Sequence, residues 1–315
     1  MNAPFDVLAI GNPCLDVVVH AARIPAWDEK SVGSSGGFFA GGTEANFACA
    51  GAALGLNIAV LGAVGDDRYS QFLLDEFARF GVDISNMRVA CASVCAMTVV
   101  LVSPAGERSA LYVPMPEPAQ ATQAAPLPAS RWIYSMPYDE SRLRDLSRRA
   151  RAAGAQVAID LEAQAILAAG ADNADALIGH ADLVFMNESG FRAACGVDPG
   201  IDTLLALQQR GSAHTMVVTL GAAGALAADK SGARYQAAYP VEALDATGAG
   251  DTFNAAFLTA HLESRDLKQA LQFACAAGAA AVTRVGARTA MPDRSTVDRI
   301  MAAGRVNTAI REARP

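Results

Sequence analysis

Between residues 132 and 219, short apolar runs alternate with longer amphipathic stretches, and this alternation limits the fold more than any other feature. Strand signals at 132–135, 156–161, 183–186 and 215–219 are separated by helical signals over 141–153, near Asp175, around Phe191 and over 203–209. That order indicates a mostly parallel sheet covered by helices on both faces. Upstream, 7–10 reads as a buried strand ending at Gly11. The uncharged stretch 45–65 is long enough to span a bilayer. Asn46, Asn57 and several glycines interrupt it, however, so it reads as a buried helix followed by a buried strand. A helix then starts at Asp66, with Tyr69, Phe72, Leu73, Phe77 and Phe80 on one stripe and Gly81 as its stop. Residues 12–40 and 92–115 are rich in strand signals and depart from the alternation. They are expected to form a small separate sheet, with 1–11, 41–91 and 116–315 forming the α/β body. Residues 114–128 are a proline-rich connector.

Apolar residues make up 52% of the 315 and charged residues 18%, as expected of a compact globular chain. The net charge of −7 argues against a nucleic-acid partner or an anionic membrane surface. Six cysteines without a Cys-x-x-Cys pair read as reduced, buried thiols. The first residues, Met-Asn-Ala-Pro-Phe-Asp, carry neither the basic nor the apolar region of a secretory leader, and a cytoplasmic location is expected.

Chemistry concentrates in Asp245-Ala-Thr-Gly-Ala-Gly-Asp251-Thr-Phe. The small residues Gly248, Ala249 and Gly250 let backbone N–H groups converge at the start of an apolar helix, a cradle for an anion. Asp251 at its mouth suits a base that takes a proton from an attacking hydroxyl, hence phosphoryl transfer from a nucleotide to an alcohol. The same residues also read as a capped helix after a tight turn.

Other candidates carry similar pairs of readings. Asp16 follows a buried strand, as a turn residue or as a ligand contact at the strands' carboxyl ends. Gly41 and Gly42 open a helix and allow close ligand approach, with Asn46 one turn in; glycines there also serve purely steric ends. Thr219, Gly221 and Gly224 bound a strand–strand turn that can hold a nucleotide phosphate or be only a glycine turn. Asn187-Glu188 can place a carboxylate beside Mg²⁺ or begin a helix favourably. Of the adjacent Phe38 and Phe39, one faces away from the core. Arg108, on a strand, can meet an anionic group of a substrate or stay solvated.

Taken together these residues resemble the ribokinase (PfkB) family of carbohydrate and nucleoside kinases across nearly the whole chain. Gly41-Gly42-x-x-x-Asn46 is similar to the family's first signature, and the stretch from Asp245 to Phe253 to its second. The resemblance implies a ribokinase-like three-layer α/β/α sandwich with a small β-sheet lid, residues 12–40 and 92–115, over the substrate. It implies that Asp251 is the catalytic base and that the amides of Gly248, Ala249 and Gly250 form the anion hole. Asn12, Asp16, Gly41, Gly42 and Asn46 then grip the substrate, while Asn187, Thr219, Gly221 and Gly224 line the ATP site. Mg²⁺ falls to Glu188, because the family's Asn-x-x-Glu ends here in Gly190. A K⁺ site is implied at Asp245, Thr247, Ala281, Arg284 and Gly286, although Ala290 stands where a hydroxyl residue is usual. Thr43 stands where ribose-specific members carry Lys, which points away from ribose itself. The expected activity is that of an ATP-dependent sugar kinase, paired lid-to-lid as a homodimer. A nucleoside kinase is the alternative, since Gly11-Asn12-Pro13-x-x-Asp16 resembles adenosine kinases. A sensor without catalysis is the third reading.

Overall fold

In the computed structural model, residues 5–304 are described except 116–125, 138, 171–172 and 211–212. The connector expected at 114–128 therefore lies largely outside the described residues. Thirteen described strands form two sheets. The larger runs β13-β12-β11-β10-β9-β8-β1-β4-β5, where β1 is Phe5–Ile10, β4 Ile58–Val64, β5 Asp83–Val89, β8 Ser130–Ser135, β9 Gln156–Asp160 and β10 Leu183–Asn187. Strand β11 is Thr215–Thr219, β12 Ala225–Asp229 and β13 Gly232–Gln236. Strands β5 through β11 in this order pair parallel, and β12 and β13 add antiparallel at one edge.

Period-two alternation on the buried strands feeds two cores. Val7 and Ala9 join a cluster with Phe47, Phe257 and Phe273 on one face, whereas Leu8 joins Leu143, Ile166, Phe191 and Leu204 on the other. The first face carries α1 (Thr43–Ala53), α2 (Arg68–Phe80), α8 (Ala249–Leu262), α9 (Leu267–Ala281) and α10 (Arg294–Ala302). The second carries α3 (Glu140–Ala152), α4 (Ala163–Ala169), α5 (Ala174–Gly179), α6 (Glu188–Cys195) and α7 (Ile201–Arg210). This is a three-layer α/β/α sandwich. The chain runs outward from β1 to β4 and β5, then returns to β8 on β1's other side. The crevice between β1 and β8 is thus a topological switch point, the usual ligand position in such sheets.

The second sheet, β3-β2-β6-β7, is built from β2 (Cys14–His20), β3 (Ser34–Gly41), β6 (Ala96–Val102) and β7 (Arg108–Val113). These strands come from the two segments that break the alternation in the sequence. Asp67 joins this sheet to the body. Its Oδ1 caps α2 by accepting from Tyr69 and Ser70 N–H at 2.8 and 3.2 Å, and its Oδ2 accepts from Cys95 N–H at 2.8 Å.

Three expectations need correction. Phe72 leaves the α2 stripe and is exposed, because it is one residue, about 100°, away from Leu73 on a 3.6-residue helix. Cys91 is exposed rather than buried, although all six thiols are free. Strand β5 was missed because its solvated edge sequence, Asp-Ile-Ser-Asn-Met-Arg-Val, lacks a long apolar run. No helix among the described residues is long and apolar enough to cross a membrane.

Asp67→Ala removes a helix cap together with the bond to Cys95 and should lower unfolding free energy by about 1–3 kcal/mol, read by urea denaturation.

Candidate active site

The head of α8 forms the centre of the site. Gly248 caps the helix at φ 74°, a left-handed conformation that glycine adopts without strain. A Cβ on Gly248 would press into Ala287. Ala249 N–H closes a turn onto Ala246 O at 3.2 Å, so that amide is partly engaged. Gly248 and Gly250 N–H donate to no acceptor among the described residues. They are free to meet an anion at the positive end of a 14-residue helix.

Asp251, in the first turn, is half-buried. Its Oδ2 accepts from Asn46 Nδ2 at 2.8 Å, and Asn46 Oδ1 in turn accepts from Arg288 Nε at 2.9 Å. Arg288 fixes which way the Asn46 amide points. Its Nη2 donates to Gly41 O at 2.9 Å, its guanidinium lies over the Phe77 ring, and Nη1 has no partner among the described residues. Desolvation pushes the Asp251 carboxyl up to about 7, and the carboxylates of Glu162 and Glu44 push the same way; Asn46 and Arg288 oppose them. A carboxyl titrating there is poised as a base at neutral pH. Because its folded pKa exceeds the unfolded value of about 3.9, folding binds a proton between the two. Stability is therefore lost as pH rises through that window.

Around this centre the sequence candidates fall at the strand ends. Asn12 follows β1, but its Oδ1 already accepts from Ala63 N–H at 2.8 Å, which leaves its Nδ2. Asp16 lies against Gly41, where any Cβ would overlap its carboxylate. Burial raises the Asp16 pKa against bonds from Cys14 and Thr98. Gly42, at φ 97°, has no room for a side chain beside Asn12, Pro13 and Cys14, so the first glycine pair answers to packing and to Asp16 at once.

Asp16 pairs directly with Phe39 and Thr98, and Thr98 with Tyr112, so these four share one face of the second sheet. Phe38 points to the opposite face, its ring 5.8 Å from that of Tyr69.

At the far end of the crevice, Asn187 and Thr219 are neighbours in register across β10 and β11. Gly224 lies so close to Gln236 O that no side chain fits, whereas Gly221 faces open space. Asn187 Oδ1 caps α6 through Gly190 N–H at 2.8 Å. Glu188 lies 3.7 Å from Arg192. Gly190 abuts Leu161 O, which leaves no room for the glutamate of an Asn-x-x-Glu motif there.

Of the K⁺ donors expected from the sequence, Asp245, the Thr247 side chain and Gly286 already have protein partners. Asp245 Oδ1 accepts from Thr247 N–H and Oγ1 at 3.0 and 2.6 Å, and its Oδ2 from Gly286 N–H at 2.9 Å. Gly286 O accepts from Thr289 N–H at 3.2 Å. Arg108 remains exposed, but its head group has partners on the body of the protein. It donates to Thr247 Oγ1 at 2.5 Å and lies 3.0 Å from Asp245 Oδ1. At the Asp245 carboxylate, an alkali cation would have to displace Arg108 or a bond from Thr247 or Gly286. Ala281 and Arg284 lie at the end of α9 and just beyond it.

Sequence reasoning missed Arg288, Glu44, Glu162 and Tyr112. Glu44 is buried at the switch point, where its Oε1 accepts from Met136 N–H at 3.0 Å, and burial pushes its carboxyl up to about 7. A charged residue buried in an apolar helix start (Glu44) was a signal available to find it. Nothing local marks Arg288.

Residues 5–294 match the pfkB family carbohydrate kinase. The chain belongs to that family. A fructokinase of Klebsiella pneumoniae is 30% identical over 82% of this chain and 91% of its own length. The structure of Arabidopsis thaliana ribokinase complexed with ribose and ATP is similar at TM-score 0.78, with 23% identity over 95% of this chain and 99% of that one. The nucleoside kinase of Methanocaldococcus jannaschii, a ribokinase-family member, superimposes at TM-score 0.82, with 19% identity over 96% and 100%. The fold of this PfkB-family chain is thus ribokinase-like.

Arg288→Met keeps an apolar stem against Phe77 but frees Asn46 and removes a positive charge near Asp251. The acid limb of the pH–rate profile should move to higher pH than in the unmodified protein, measured as kcat/KM.

Proposed function

We propose that this PfkB-family kinase transfers the γ-phosphoryl group of ATP to a hydroxyl of a sugar, with Asp251 as the general base. The reading is carried by one observation: the Asp251 carboxylate, bonded to Asn46, stands in the first turn of a helix whose head presents the unengaged N–H groups of Gly248 and Gly250. Asp251 Oδ takes the acceptor's proton as the hydroxyl attacks. Gly248 and Gly250 N–H, helped by the α8 dipole, hold the charge that accumulates on the transferring group. Such chemistry asks mainly for positioning and charge stabilisation.

The turn 219–224 and Asn187 are the residues assigned to ATP. Mg²⁺, when bound, supplies charge neutralisation between phosphates and typically keeps several waters with only one or two carboxylates. Glu162, at the carboxyl end of β9 and electrostatically coupled to Asp251, suits that part better than Glu188, which lies beside Arg192. Asp16, Asn46 and the free side of Asn12 are assigned to acceptor hydroxyls, where an unpaired partner penalises analogues that lack the hydroxyl.

A nucleoside acceptor is the second reading, and the row Phe39–Asp16–Thr98–Tyr112 favours it. An aromatic residue at each end of that row could stack on a base. Phe38, turned to the other face, takes no part. On that outer face Leu111 and Val113 are exposed, which suits pairing of a second copy through the lid. The free thiols suit a reducing compartment such as the cytoplasm. A sensor without catalysis fits poorly with a carboxylate tuned to neutral pH.

Asp251→Asn should lower turnover about 10²–10⁴-fold while retaining MgATP binding by calorimetry; full turnover in that variant removes Asp251 as the base. The same variant should melt higher than the unmodified protein at pH 8, because it no longer ionises in a desolvated site. In a thermal-shift panel of fructose, ribose, adenosine and inosine, the true acceptor class gives the largest rise in Tm.

A further inference from the structure

Lid strand β7 begins at Arg108, and its guanidinium ends on the loop that supplies the anion-binding amides. One Nη2 donates to Thr247 Oγ1 and lies against Asp245 Oδ1. That oxygen already accepts from Thr247 N–H and Oγ1, and a carboxylate oxygen has two lone pairs. Oδ2 accepts from Gly286 N–H. The ionised carboxylate therefore has its countercharge and its donors from the protein itself.

A second lid contact lands on the same region. The Phe39 ring edge lies where a Cβ of Gly286 would be, and Ala287 in turn wedges against Gly248. The turn that presents the Gly248 amide is thus set between two lid residues and the loop after α9.

We propose that Arg108 is a built-in substitute for an alkali cation at Asp245, so that lid closure, rather than K⁺, sets the anion-binding turn. The proposal goes beyond the phosphotransferase reading and rests on it only for turnover; the site's cation response can be read from melting alone.

The test compares Tm and turnover in KCl and in choline chloride at equal ionic strength. The unmodified protein should give the same values in both salts. Arg108→Ala should melt lower in choline chloride and recover several degrees, with several-fold of its turnover, in KCl. Arg108→Ala/Ala290→Ser, which adds a hydroxyl beside the loop, should respond more strongly still. A K⁺-dependent Tm in the unmodified protein overturns the proposal. So does the failure of both variants to respond to K⁺, Na⁺ or Rb⁺. If no acceptor is phosphorylated under any condition, the proposed function fails while the melting comparison still decides the role of Arg108.

Discussion

The bond from Asn46 to Asp251, with Arg288 behind it, is the contact on which the rest of the site depends. It joins three segments far apart in sequence: the head of α1, the head of α8 and the loop before α10. Loss of water disfavours the charged form of this carboxylate, and the amide and guanidinium return part of that stabilisation. The balance leaves the carboxyl near neutrality, ionisable but not strongly held in its charged form. A second strong positive partner in direct contact would make it a poor base, and no partner at all would leave it protonated.

The surrounding acids follow the same logic. Glu44, Asp160 and Glu162 lie close enough to couple with Asp251, and burial above all raises the Asp160 pKa well above its ordinary value. Tyr134 and Asn254 donate to Asp160, and Phe47 stacks on Tyr134 with ring centroids 3.6 Å apart. Asn254 lies one turn beyond Asp251 on α8, so the aromatic core and this carboxylate share a rigid support. Electrostatics at the surface of the crevice is thus anchored in packing beneath it. The two-point contact of Arg108 and Phe39 extends that support to the lid.

The fold and the centre of the site were largely legible in the sequence. Alternating apolar runs disclosed the parallel sheet, because strands buried on both faces leave continuous hydrophobic signals. The small-residue turn before Asp251 was visible for a local reason: only glycine and alanine allow amides to converge at a helix start. Phe72 and Cys91 were misjudged because residue type alone does not report which side of an element meets solvent. Strand β5 lacked a hydrophobic signature, since an edge strand needs less apolar surface.

What the sequence by itself determined is the set of elements and the chemistry of the two glycine-rich helix starts, both of which depend on neighbours within a few residues. Only the tertiary structure decided that Arg288 orients Asn46, that Glu44 lies under the switch point, and that Arg108 reaches Asp245. Those pairings join residues separated by 92 to 242 positions or by a crossover between sheets. No local pattern encodes them, because a side chain's partner across a fold is selected by where the backbone places it, not by what precedes it in the chain.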